Sequence, residues 1–167
     1  MSFTATDPQS HKGKTDSWLT PLPLIRSLGE FHLDPCGWPG HDTAKQVVTL
    51  PTDGLKLEWF GRVWLNPPYG KEAVHWLRKL QNHGDGIALV FNRLDTKWLA
   101  PFCLDGFFAI NGRVKFIPTN GQNASQPGTG SILIPFGHRN RESIIHSGIK
   151  GIWFSACWQR GIGQGSK

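Results

Sequence analysis

Apolar residues fall into short runs separated by Gly- and Pro-rich breaks, and two periods alternate along the chain. Pro21 and Pro23 open a short helix with an apolar face of Leu22, Leu24, Ile25 and Leu28, closed by Gly29. Thr20 stands where it either caps this helix or meets a ligand. Phe31–Asp34 and Gln46–Leu50 read as compact strands, and Val63-Trp64-Leu65 as a third. From Lys71 the period becomes helical: Ala73, Val74, Trp76, Leu77 and Leu80 mark a buried face ending near Gly84, with Lys71, Arg78 and Lys79 outward. Gly86–Phe91 is continuously apolar, as in a strand covered on both faces. Asp95 or Thr96 caps an expected helix through Phe102. Gly106–Ile110 and Arg113–Ile117 are expected to form a hairpin through Asn111-Gly112. A polar loop over 118–130, a strand over Ser131–Phe136, a helix over Arg139–Ser147 and a strand over Ile149–Cys157 complete the pattern.

Strands alternating with helices predict one α/β domain: a Rossmann-like, mostly parallel sheet, helices on both faces, and an antiparallel hairpin at the C-terminal side. The 167 residues suffice for one core, expected over residues 15–158, with a loose leader at 1–14 and a polar tail at 159–167. No internal repeat is visible. No apolar run is long enough to span a bilayer, and residues 1–16 lack the apolar centre of a signal peptide, so an intracellular, cytoplasmic protein is expected. Three scattered cysteines and seven scattered histidines have no metal-ligand spacing, which argues for reduced thiols and no metal site. The net charge of +6 favours a polyanionic partner.

The chemistry concentrates at Asn66-Pro67-Pro68-Tyr69, between an apolar strand and a helix. The two prolines stiffen the turn and bias Asn66 towards an extended backbone. An exocyclic amine on a base is a poor nucleophile because its lone pair is delocalised. Acceptors such as the Asn66 side-chain oxygen and the Pro67 carbonyl draw its nitrogen towards tetrahedral geometry and stabilise the charge that develops on attack. Tyr69 offers a flat face to a base taken out of its stack. Upstream, Asp34 ends a strand and runs into Pro35-Cys36-Gly37-Trp38-Pro39-Gly40, the kind of strand-to-loop junction at which nucleotides bind. Asp53 either accepts a hydrogen bond from a ribose or an adenine amine, or simply begins a tight turn before Gly54.

Seven ordered segments resemble the phage-type DNA N6-adenine methyltransferases, a Dam-like family: Trp18-x-Thr20-Pro21, Leu33-Asp34-Pro35-Cys36, Asp53-Gly54-Leu55, Trp64-x-Asn66-Pro67-Pro68-Tyr69-Gly70, Arg93-x-Asp95-Thr96-x-Trp98, Gly112-Arg113-x-Lys115-Phe116, and the strand led by Ser131. The resemblance implies a class I methyltransferase domain with S-adenosylmethionine as cofactor and DNA as partner, and a phage or prophage origin. It puts Thr20, Pro21, Asp34, Pro35 and Asp53 at the cofactor, and Asn66, Pro67, Pro68 and Tyr69 at the target amine. Arg93, Asp95, Thr96 and Trp98 form a facing wall, and Arg113 and Lys115 join them towards DNA. The phenylalanine-glycine loop of broader adenine methyltransferases is missing, and Asp34–Gly40 stands in its place, which leaves the methionine end of the cofactor without an assigned partner. A glutamine-amide methyltransferase, an RNA adenine methyltransferase and a catalytically silent DNA-binding module are the rival expectations.

Overall fold

The computed structural model describes residues 18–119 and 128–155. In chain order these form β1 (Trp18–Leu19), α1 (Leu22–Ser27), β2 (Leu33–Asp34), β3 (Gln46–Val47), β4 (Val63–Leu65), α2 (Ala73–His83), β5 (Gly86–Phe91), a 3-10 turn (Ala100–Cys103), β6 (Phe107–Ile110), β7 (Ile117–Pro118), β8 (Ser131–Phe136), α3 (His138–Ile145) and β9 (Gly151–Phe154). The expected leader over 1–14, the tail over 159–167, the last strand's end at Cys157 and most of the 118–130 loop lie outside the described residues.

Seven strands form one sheet in the order β3-β2-β4-β5-β8-β6-β9, and β1 and β7 pair separately. The pairs from β3 to β5 are parallel, and those from β5 to β9 are antiparallel. The sheet is therefore mixed, an even split of three pairings of each kind, and not the mostly parallel sheet expected. β8 is the reason. It pairs antiparallel with β5 along its whole length, from Gly86↔Phe136 to Phe91↔Ser131, and so reverses the direction at the centre of the sheet.

Period-2 alternation divides the core into two layers. Val63, Leu65, Ala88, Val90, Ile132 and Ile134 face α2, which packs with Trp76, Leu77 and Leu80. Trp64, Ile87, Leu89 and Leu133 face the other way, towards Ile25 of α1, Leu28 at its end and Ile144 of α3. Helices thus cover both faces.

At the start of β4, Arg62, only 7% exposed, ties α1 to α3 on the face of the sheet that these two helices share. Its guanidinium donates to the Leu28 carbonyl at 2.8 Å and the Glu30 carbonyl at 3.1 Å, to Asn140 Oδ1 at 2.6 Å and to Ser143 Oγ at 2.7 Å. It also lies 4.3 Å over the Phe31 ring. One side chain thereby satisfies the carbonyls left by the end of α1 and anchors α3.

Several local expectations fail for identifiable reasons. The Asn111-Gly112 hairpin does not form: β6 pairs with β8 and β9 instead. A two-residue type I′ turn needs positive φ at both positions, and here only Gly112 has it. The Asn111 amide is taken by the Lys150 carbonyl at 2.9 Å, and Val114 and Phe116 sink into the core. The helix expected through Phe102 is reduced to turns and the 3-10 segment, because Pro101 supplies no backbone donor. The hydroxyl of Thr96 bonds the Arg93 carbonyl and caps nothing. Lys79 does not face outward; its ammonium reaches the carbonyls of Leu55 and Leu57. The second strand stops at Val47, and Leu50 is exposed.

Replacing Arg62 by Ala leaves several buried acceptors without a donor and opens a cavity between the end of α1 and α3. We expect a loss of about 3 kcal/mol or more in unfolding free energy. Glu30→Ala, which removes only the exposed ion pair with Lys45, should cost less than about 1 kcal/mol. Chemical denaturation followed by circular dichroism compares the two.

Candidate active site

The chain order leaves a crevice between β2 and β4. β3 leaves β2 on one side and β4 returns on the other, so the strand order reverses there. Ligands bind outside the carboxyl ends of strands at such a point. Asp34 ends β2 and Asn66 follows β4, so parallel pairing alone brings them to the same edge.

Three cavities surround the Asn66–Tyr69 turn. The amide cavity, about 110 Å³, is lined by Thr20, Asp34, Cys36, Trp38, His41, Thr43, Asn66 and Tyr69 among others. An apolar annex of about 350 Å³ extends from it past Pro35, Val48 and Leu50 to Asp53 and Trp76. A basic cavity of about 460 Å³ lies beyond Tyr69, lined by Lys71, Phe91, Arg93 and Trp98 with the flank of α2.

Asn66 is held in one orientation. Its Nδ2 donates to the Trp18 carbonyl at 3.0 Å, and its Oδ1 accepts from the Tyr69 hydroxyl at 3.2 Å. Burial raises the pKa of the Tyr69 phenol, so it remains a donor. Tyr69 is not an open platform: one face stacks on Phe91 at 4.0 Å between centroids and 6° between planes. Phe91 in turn meets Phe116 edge-on at 6.2 Å, which brings the chain around Arg113 and Lys115 close to the turn. Both of those side chains are exposed, alternating with buried Val114 and Phe116.

Asp34 is buried with its carboxylate engaged by the Cys36 amide at 3.1 Å and the Thr43 hydroxyl at 2.5 Å. Burial drives its pKa up to about 6 against the pull of those two hydrogen bonds. The Cys36 thiol is likewise kept protonated by burial and then by Asp34, and it donates to the Asn66 carbonyl at 3.4 Å. The loop after β2 is thus linked to the turn after β4. Asp53 does begin a turn, accepting from the Leu55 amide at 3.0 Å, and it also lines the annex. Gly54 is required there. A Cβ would lie 1.8 Å from the Pro35 carbonyl oxygen, so only glycine lets the two loops close.

Of the residues expected at the cofactor, Thr20, Asp34, Pro35 and Asp53 therefore reach the cavities. Pro21 instead stands at the head of α1 with φ −55°. Thr20 makes no capping bond. Its Oγ1 is buried without a hydrogen-bond partner among the described residues, on the wall of the amide cavity. Of the expected facing wall, Arg93 and Trp98 line the basic cavity. Asp95 and Thr96 support Arg93 from behind, through an ion pair at 3.2 Å and the bond to its carbonyl.

Phe91, His41 and Lys71 were not singled out as site residues from the sequence. Phe91 ends a buried strand, and an aromatic at that position is a usable signal. His41 reaches the site by bonding the Thr20 carbonyl at 2.8 Å, and Lys71 by the start of α2; neither has a local signature. Among the described residues no cluster of ligands could hold a metal, and no helix is long and apolar enough to cross a membrane.

Comparison with known proteins agrees with this geometry. Residues 7–150 match the family model described as DNA N-6-adenine-methyltransferase (Dam). A DNA N-6-adenine-methyltransferase of Haemophilus phage HP1 (strain HP1c1) is 26% identical over 147 residues, spanning 78% of this chain and 84% of the relative. No solved structure matches the chain significantly. The chain belongs to the DNA N-6-adenine-methyltransferase (Dam) family, whose members methylate adenine in DNA.

Proposed function

We propose that this chain transfers a methyl group from S-adenosylmethionine to N6 of adenine in DNA, with the base flipped out of the helix and the amine attacking directly. The observation that carries the reading is the separation of charge around one turn. The amide cavity and the annex have no lysine or arginine in their linings and contain Asp34 and Asp53, although the chain has 18 Lys and Arg. The basic cavity on the other side of Tyr69 contains Lys71 and Arg93. A cationic cofactor suits the first pair and a polyanion the second, and Asn66 lies where they meet.

The residues present fit the cofactor. The unpartnered Thr20 hydroxyl is a polar group awaiting a ligand, the annex offers an apolar wall for a nucleoside, and Asp53 is at hand for a ribose hydroxyl. When bound, S-adenosylmethionine supplies an electrophilic methyl on a positive sulfur. The chain's own residues do the positioning. Asn66 Oδ1, oriented by Trp18, accepts from the amine alongside or in place of the Tyr69 hydroxyl, and the Pro67 carbonyl is the second acceptor. Tyr69 stacks on the base with its free face or by parting from Phe91. No strong base is needed, because the amine becomes acidic only as it is alkylated; alignment supplies most of the rate. Arg93, Trp98, Arg113 and Lys115 are assigned to DNA, with Lys71 added. The finer class I, Rossmann-like assignment of the fold is supported by the crevice at the strand-order reversal.

Asn66→Ala should lower the single-turnover rate by roughly 10² to 10³ while cofactor affinity stays within a few-fold. A rate near wild type sinks the assigned mechanism.

An ionised Asp34 attracts a cationic cofactor, and its pKa of about 6 sets where that attraction is lost. Affinity for S-adenosylmethionine should fall as pH drops from 7 to 5. Asp34→Asn should bind more weakly at pH 7 and show no such slope. Titration calorimetry checks both, and a slope that survives in Asp34→Asn would belong to another group.

DNA affinity should fall steeply with salt through counterion release. Replacing Lys71 and Arg93 together by Ala should flatten the log–log slope by about two units. Duplex DNA with 2-aminopurine at the target position should brighten on binding as the base unstacks. A salt-insensitive complex without brightening would count against duplex DNA as substrate.

A further inference from the structure

We propose that the Trp38 indole holds the positive sulfur of S-adenosylmethionine through a cation–π contact, so that affinity at this site depends on the charge of the ligand. The inference rests on the methyl-transfer reading above. It concerns the end of the cofactor site for which the sequence offered no partner.

The amide cavity and the annex share four residues only: Cys36, Gly37, Trp38 and Pro68. Trp38 alone among them carries a π face. The methyl group has to point at Asn66, which lines the amide cavity and not the annex. The nucleoside needs the larger apolar space, which is the annex. The sulfur joins these two parts of the molecule, so it lies at the junction. The lining repels no cation there, having two carboxylates and no lysine or arginine. Among the described residues no other ring or cation stacks on the indole, which is 38% exposed. The residue before it is closely packed: a Cβ on Gly37 would lie 2.3 Å from Val47 Cγ1 and 2.9 Å from Asp34 Oδ2.

Cation–π attraction to tryptophan is the strongest of the aromatic series, and it ends with the reaction. The N6 lone pair forms the new N–C bond, the C–S bond electrons return to sulfur, and the surplus N6 proton goes to solvent. The sulfur is then a neutral thioether, and the indole loses its partner as product forms.

Titration calorimetry of the full-length protein tests this with three ligands: S-adenosylmethionine, the neutral S-adenosylhomocysteine, and sinefungin, which carries an ammonium group in place of the sulfonium methyl. Trp38→Leu should weaken both cationic ligands roughly ten-fold and the neutral one by less than about two-fold. Trp38→Phe keeps a weaker π face and should lose roughly three-fold for the cations alone, which preserves the test should the Leu variant fail to fold. Equal weakening of all three ligands would make Trp38 a packing residue and overturn the proposal, as would unchanged affinities. If the wild-type protein binds none of the three, the methyl-transfer reading falls, and this proposal with it.

Discussion

Burial of one guanidinium sets the frame for the rest. Arg62 precedes β4 and Asn66 follows it, so whatever positions Arg62 positions the turn four residues later. Its donors are spent on the end of α1 and on Asn140 and Ser143 of α3. Asn140 passes the constraint on by donating to Asp85 Oδ1 at 2.9 Å and to the Phe136 carbonyl at 2.7 Å. Asp85 lies just before β5 and Phe136 ends β8, so three adjacent strands are set to a common depth at one end. Their opposite ends carry the site. A buried cation is tolerated only when it is well hydrogen-bonded, and that requirement makes the arrangement specific.

Around the turn, weak couplings do the local work. Cys36 joins the loop after β2 to the Asn66 backbone, Trp18 orients the Asn66 amide, and Phe91 and Phe116 support Tyr69. β1 and β7 pair only over Trp18↔Pro118 and Leu19↔Ile117. That short ladder still matters, because it holds the carbonyl that fixes the amide. The proposed transfer from a cationic donor to a base in a polyanion would need two opposite electrostatic environments around one turn. Keeping lysine and arginine out of the amide cavity and the annex, while Lys71 and Arg93 lie on the far side of Tyr69, supplies them in a strongly basic protein.

The central elements were legible because their patterns are local. Gly86–Phe91 and Ser131–Phe136 are continuous apolar runs and match β5 and β8 residue for residue. The spacing of Ala73, Trp76, Leu77 and Leu80 marks the buried face of α2. Asp34, Asn66 and Tyr69 reach the amide cavity because Asp34 ends β2 and the turn follows β4, strand ends that the chain pattern marks. Thr20 follows β1, which exists only through its pairing with β7, and Asp53 lies in a turn well past β3. Where local chemistry competed with long-range pairing it lost. Asn111-Gly112 has the dipeptide of a hairpin, yet β6 gains two partners, β8 and β9, and Val114 and Phe116 gain burial, by not forming one.

Sequence alone was enough for the α/β class and for the strand–turn–helix around Asn66, since these depend on residue order and side-chain type. The tertiary structure decided the antiparallel entry of β8 beside β5, the burial of Arg62, the conversion of Lys79 into a loop clasp, and the seating of Phe91 on Tyr69. Each joins residues from distant parts of the chain and is settled by burial and hydrogen-bond satisfaction, which no local pattern records. Trp38 shows the division at one residue. The sequence displayed an unexplained tryptophan in a glycine-proline loop, and only folding put it where two cavities meet.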